Sequence, residues 1–268
     1  MIKIHIFHTG KVIVDPAIPY KNKNPFAFTG LFRDPNNKIT LAVSSYLIEH
    51  PKGNILIDTG WDSKYAYERP SRFFGILDKI STASIQKNEG IDQKLQSVGI
   101  RPEELKCVFF SHLDFDHTSG IRLVKNAPCF KASAQELKDA DSNFFRYAKD
   151  TWKDVHIQPF EFADSGIGPV GRSYDVFNDG SIQLINTPGH SHGHCSVRVE
   201  ANGKYIILAG DAAYTQRSIR EEIIPGLTVS SRSAKQSIAW LHQCANDPTC
   251  LLVAPNHDPE INEQTIVL

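Results

Sequence analysis

Among the five cysteines, Cys107, Cys129, Cys195, Cys244 and Cys250, no C-x-x-C pair occurs, and their number is odd. A disulfide framework and a zinc knuckle both lose support, and reduced, mostly buried thiols in a cytoplasmic protein are the expectation. No apolar run approaches the length of a transmembrane helix. The start, Met1-Ile2-Lys3-Ile4-His5-Ile6-Phe7, alternates like a strand and carries neither the apolar core nor the cleavage site of a signal peptide. The formal net charge of -1 offers no basic field for nucleic acid and no polybasic anchor for a membrane. Neither a nucleic-acid nor a membrane partner is expected. Nothing of low complexity and no short repeat divides the 268 residues, so one domain spanning 1–268 is expected.

Strand and turn signals dominate the chain. Residues 1–15 read as an edge or hairpin strand, and residues 41–49 and 54–58 as two strands around Pro51-Lys52-Gly53. A helix over 93–98 ends at Gly99. A strand over 127–132 precedes a helix over 133–140 with Ser133 as its cap. Asn178-Asp179-Gly180 and Asn202-Gly203 mark two hairpins, and a helix over 233–244 leads to a strand over 250–254. Residues 16–38 read as a surface loop, or else as a flap whose Phe26, Phe28 and Phe32 roof a pocket. Residues 61–90 read as an irregular helical excursion, and 141–165 have no assignment.

One stretch organises the rest. Ser111-His112-Leu113-Asp114-Phe115-Asp116-His117 packs four ligand-type side chains into six residues, directly after the apolar strand Cys107-Val108-Phe109-Phe110. Such a cluster repels itself and loses hydration unless cations hold it, so metal binding is the economical reading. Later strands end in further ligand types: His190 after Ile185-Asn186-Thr187-Pro188-Gly189, Asp211 after Leu208-Ala209-Gly210, and His257 after Val253-Ala254-Pro255-Asn256. Singly, each of these is an ordinary turn or capping residue. Jointly with residues 112–117 they form a pattern that chance seldom produces.

That pattern resembles the metallo-β-lactamase superfamily, and within it the N-acyl homoserine lactone lactonases. Ser111-His112-Leu113, Phe115-Asp116-His117, Thr187-Pro188-Gly189-His190-Ser191 and Asp211-Ala212-Ala213-Tyr214 carry the resemblance. It implies an α/β fold of the four-layer αβ/βα sandwich type, with a dinuclear metal site along one edge. It assigns His112, Asp114 and His190 to one divalent metal ion, and Asp116, His117 and His257 to a second, with Asp211 bridging. It further implies attack of a metal-bridging hydroxide on a lactone or related ester carbonyl. Tyr214 would bind the substrate oxygen and Asp116 would take part in proton transfer as the catalytic pair. Asp58 would support the metal-binding loops from behind. His194 would fix a loop without ligating, and Cys195 would be packed. The resemblance implies a small-molecule substrate as partner; oligomeric state is not readable from the sequence, a homodimer being one candidate.

The departure is Asp114, where the family carries histidine. Three carboxylates leave the two metals with less positive charge, which favours iron or manganese over zinc. An Asp114 too short to reach would leave one site loose. The flavodiiron proteins of the superfamily carry a carboxylate at this place, so a dinuclear iron redox protein is one alternative, disfavoured because no flavodoxin-like domain follows. A metal-binding sensor without turnover is the other. Phe26, Phe28, Phe32, Phe73, Phe74 and Tyr147 are candidates for an acyl pocket, and Arg69 and Arg72 for contact with an anion.

Overall fold

The computed structural model describes residues 1–24, 26–30, 33–68, 80–143 and 146–268. The sequence readings placed on Phe32, Arg69, Arg72, Phe73 and Phe74 lie outside the described residues. Two sheets face each other among them. The first has eight strands: β1 (Lys3–Val14), β2 (Ile39–Glu49), β3 (Asn54–Ile57), β4 (Ser81–Ser84), β5 (Leu105–Phe109), β6 (Phe130–Ser133), β7 (Gln158–Phe160) and β14 (Gln264–Val267), ordered β14-β1-β2-β3-β5-β6-β7 with β4 also paired to β1. The second has six: β8 (Ala163–Asp164), β9 (Arg172–Asp175), β10 (Ile182–Asn186), β11 (Cys195–Ala201), β12 (Lys204–Gly210) and β13 (Cys250–Pro255), in the order β13-β12-β11-β10-β9-β8.

Period-two alternation explains the stacking. Ile4, Ile6, Ile48, Ile55, Ile57 and Phe109 point from the first sheet into a core shared with Leu184, Val197, Val199, Ile206 and Leu208 of the second. The opposite face of the first sheet, with Leu56 and Val108, is covered by α1 (Ile91–Ser97) through Ile91 and Leu95. The opposite face of the second, with Ile207 and Val253, is covered by α5 (Ser231–Ala245) through Ile238 and Leu241. Helix, sheet, sheet, helix is the four-layer order expected.

Most strand and helix expectations hold within a few residues. Two differ: residues 61–90, read as a helical excursion, include the strand β4 paired to β1, and of the edge or hairpin reading of residues 1–15 only the hairpin to β2 holds, since β14 on the other side makes an interior strand of β1. Its fully buried Ile4 and Ile6 need neighbours on both sides, and the short, mostly exposed β14 that supplies one of them has no alternation to announce it. The strand β5 runs parallel between β3 and β6, so its carboxyl end opens where the crossovers leave the sheet.

Candidate active site

Asp58 follows β3 with a positive φ of 57°, a conformation few non-glycine residues adopt. Its Oδ1 accepts from the Ser111 amide at 2.8 Å, while Oδ2 accepts from Ser111 Oγ at 2.7 Å and His117 Nδ1 at 2.9 Å. This one carboxylate pins both ends of the 111–117 loop. Two residues on, Gly60 has φ 63°, and a Cβ there would sit 1.9 Å from Thr9 Oγ1, so only glycine passes. The loop then enters α2 (Phe115–Thr118), whose N-cap is Asp114. The Asp114 side chain makes no capping bond, which leaves it free for the site.

Four imidazoles converge from three strand ends, His112 and His117 after β5, His190 after β10 and His257 after β13. His117 Nδ1 donates to Asp58, His190 Nδ1 to the Leu227 carbonyl at 2.9 Å, and His257 Nδ1 to the Ala42 carbonyl at 2.7 Å. His112 Nδ1 donates to Ser111 Oγ at 3.0 Å, whose own proton goes to Asp58. Each ring therefore spends its Nδ1 proton outward and turns its Nε2 lone pair inward, that of His190 also accepting from Arg146 Nη2 at 2.9 Å. Among the described residues, His112 Nε2, His117 Nε2 and Asp211 Oδ1 are buried without a hydrogen-bond partner. Lone pairs aimed at one another in a dry site call for a cation.

Asp211 divides that centre in two. Its Oδ2 lies 3.9 Å from His112 Nε2 and 3.7 Å from His190 Nε2, and its Oδ1 lies 3.3 Å from His117 Nε2 and 3.1 Å from His257 Nε2. Asp116 Oδ2 joins the second group, 3.6 Å from His257 Nε2. Two groups could thus hold a metal ion, His112 with His190 and Asp211, and Asp116 with His117 and His257. The electrostatics agree. Against the effect of burial, Asp211 and its neighbouring carboxylates raise the basicity of His117 and His257, and those imidazoles in turn hold the Asp211 carboxyl well below its usual range. The same potential attracts a divalent ion.

Asp114 is joined to a residue that no spacing rule singled out. Arg146 grips it with Nε on Oδ1 at 2.6 Å and Nη2 on Oδ2 at 2.8 Å. Burial opposes ionisation of Asp114, yet the Arg146 charge and the imidazoles of His112 and His190 hold the carboxyl well below its usual range. Glu136 was missed as well. It is buried and accepts from the Leu113 amide, Tyr147 Oη and Ser191 Oγ at 3.2, 3.0 and 2.6 Å, tying the 111–117 and 190–194 loops together.

His194 is no part of the converging set. Its Nδ1 meets Thr187 Oγ1 at 2.9 Å and its Nε2 accepts from the Asp211 amide at 3.0 Å, so it fixes the loop, as expected. His192 is exposed beside Asp139. Cys195 is fully buried, its thiol pushed up by that burial.

Tyr214 stacks on His257, ring centroids 4.7 Å apart, and burial together with Asp211 pushes its hydroxyl well above the usual phenol range. It therefore keeps its proton. The ring forms part of a cavity of about 410 Å³ whose floor is Asp114, Asp116, Arg146, Asp211 and His257, and whose walls include Val12, Val14, Ile18, Phe28, Trp61 and Phe115. Of the described aromatic residues expected at an acyl pocket, Phe28 lines it. Phe26 is 71% exposed, and Tyr147 is buried in the core on the outer face of the first sheet, its hydroxyl donating to Glu136.

Comparison with known proteins bears on this geometry directly. The family model "Metallo-beta-lactamase superfamily" matches residues 39–257, from β2 to the last of the converging histidines. The chain belongs to the metallo-beta-lactamase superfamily. Its curated relatives within that superfamily include the N-acyl homoserine lactonase AttM of Rhizobium radiobacter, 29% identical over 221 residues that cover 82% of this chain and 83% of the relative. The AttM lactonase of Rhizobium johnstonii is 30% identical over 220 residues, covering 82% of each. Among solved metallo-beta-lactamase folds, an N-acyl homoserine lactone hydrolase with the product N-hexanoyl-L-homoserine at its catalytic metal center superposes with a TM-score of 0.76 at 24% identity, over 96% of this chain and 94% of that one. Among the described residues, no helix is long and apolar enough to cross a membrane.

Proposed function

We propose that this protein is a dinuclear metallo-hydrolase that opens the ring of N-acyl homoserine lactones or closely related lactones. The observation that carries the reading is Asp211, whose two oxygens face separate imidazole pairs. A carboxylate so divided suits a bridge between two divalent cations. In this reading His112, Asp114 and His190 hold one ion, Asp116, His117 and His257 the other, and Asp211 both. Bound there, two such ions would lower the pKa of a water and polarise a carbonyl.

The chain's own residues do the rest. The apolar walls take up an acyl chain and leave the ester group over the polar floor. Tyr214, protonated and buried, donates its O–H to the carbonyl oxygen as negative charge develops there. Asp116 at the cavity floor carries the proton released by the attacking water to the leaving alkoxide. Water adds across the C–O bond, and a hydroxy acid leaves.

Two measurements follow. Metal-loaded protein should open N-acyl homoserine lactones, with kcat/KM rising about fourfold for each methylene added until the walls are filled, the equivalent of about 0.8 kcal/mol per buried CH₂. A chain-length series run by pH-indicator assay reads this, and no ring opening at any length would sink the proposal. Tyr214→Phe should lower kcat on the order of 10²-fold with metal content unchanged. A kcat within a factor of two of the parent would remove Tyr214 from the chemistry.

A further inference from the structure

Arg146 is the one guanidinium on the floor of the cavity, among the described residues. Its side chain is 13% exposed, and besides packing over the Tyr147 ring its guanidinium makes hydrogen bonds that all serve one corner. Nε and Nη2 fork onto Asp114, Nη1 donates to the His190 carbonyl at 2.9 Å, and Nη2 also lies 2.9 Å from His190 Nε2. The fork divides the work of the carboxylate. Oδ1 faces Arg146 alone, while Oδ2 also stands 2.9 Å from His190 Nε2 and 3.5 Å from His112 Nε2. Donors around an ion with bonds of about 2.0–2.1 Å sit roughly 3.3 Å apart on the edges of a tetrahedron. Asp211 Oδ2 lies 3.7 and 3.9 Å from the same two nitrogens, so Asp114 Oδ2 stands beside the His112–His190–Asp211 group as its candidate fourth donor.

We propose that Asp114 and Arg146 act as a unit, a carboxylate–guanidinium pair that takes the place of a neutral imidazole at the first metal position, with Arg146 as a positioning residue that aims Oδ2 and sets the charge of the site. The inference rests on the dinuclear reading above. Two divalent ions against the three carboxylates Asp114, Asp116 and Asp211 leave a charge of about +1, and Arg146 raises it to about +2. A neutral histidine at 114 with no arginine leaves the same +2. The shift toward iron or manganese argued from Asp114 alone is cancelled by a residue 32 positions away.

The test is a zinc titration against a chromogenic chelator on the full-length protein, comparing the parent with Asp114→His and with Asp114→His/Arg146→Met. Asp114→His leaves a buried guanidinium unpaired beside the first ion, and that zinc should bind at least tenfold more weakly. The double variant should return to within about threefold of the parent. An Asp114→His variant that holds both zinc ions as tightly as the parent, or a double variant no better than the single, would overturn the pairing. A parent that never holds two zinc ions would instead overturn the dinuclear reading itself. Should Asp114→His not fold, the zinc-over-manganese ratio of Arg146→Met and Arg146→Lys decides. The first should move about tenfold toward manganese and the second should not; equal ratios in both would refute the charge assignment.

Discussion

Asp211→Ala should lose metal and activity together, with at least one equivalent gone and kcat/KM down on the order of 10³-fold or more. The size follows from where the carboxylate stands. Oδ1 and Oδ2 face opposite imidazole pairs at 3.1 to 3.9 Å, so one truncation removes a donor from both positions. It would also remove the negative charge that, in the proposed reading, offsets the mutual repulsion of the two ions held there. The Asp211 amide, held by His194, is untouched, so the fold should persist. Elemental mass spectrometry on the purified variant reads the metal and far-ultraviolet circular dichroism the fold. Full occupancy in a folded variant would refute the bridge.

Asp58→Ala acts from outside the ligand set and should still be severe. Three donors, the Ser111 amide, Ser111 Oγ and His117 Nδ1, would lose their acceptor in a site where Asp58 and Ser111 are buried. At about 1 kcal/mol or more for each stranded donor, and about 1 kcal/mol for alanine at a left-handed φ, destabilisation of about 4 kcal/mol is expected in a denaturant melt. Asp58→Asn separates the causes. Asparagine tolerates the φ of 57° and keeps an acceptor for Ser111, so it should recover most of the stability. It cannot reproduce two anionic oxygens behind Ser111 and His117, so metal affinity should stay 10–100-fold down. An Asn variant with parental affinity would mean that Asp58 shapes the loop without tuning its histidines.

How much of this was legible in the chain depends on where the information sits. His112, Asp116, His117, His190, Asp211 and His257 each follow an apolar strand, and strand ends collect on one edge of a stacked sheet, so their meeting could be read from the sequence. The interior strands β2, β5, β10, β11 and β12 announce themselves by alternation or by unbroken burial. The strands β4, β7, β8 and β14 have two to four residues and few buried side chains, because only pairing with a neighbour makes them strands. The helix α4 (Gln216–Arg220) is a single capped turn, too short for a periodicity.

Arg146 was the costly omission. It lies in the unassigned 141–165 stretch, and an arginine among aromatic residues carries no signal that its partner is Asp114. The charge count made from ligands alone was therefore one unit short. In a buried site the residue behind the ligand counts as much as the ligand, and that residue is brought there by tertiary structure.

The most direct single measurement is the metal content of protein purified without added metal, by elemental mass spectrometry, quantified per chain and repeated after reconstitution with zinc. The account predicts two equivalents, with zinc retained as readily as manganese or iron because Arg146 balances Asp114. One equivalent or none after reconstitution would contradict it, since the seven converging side chains would then not form the two-ion site from which the proposed hydrolysis follows.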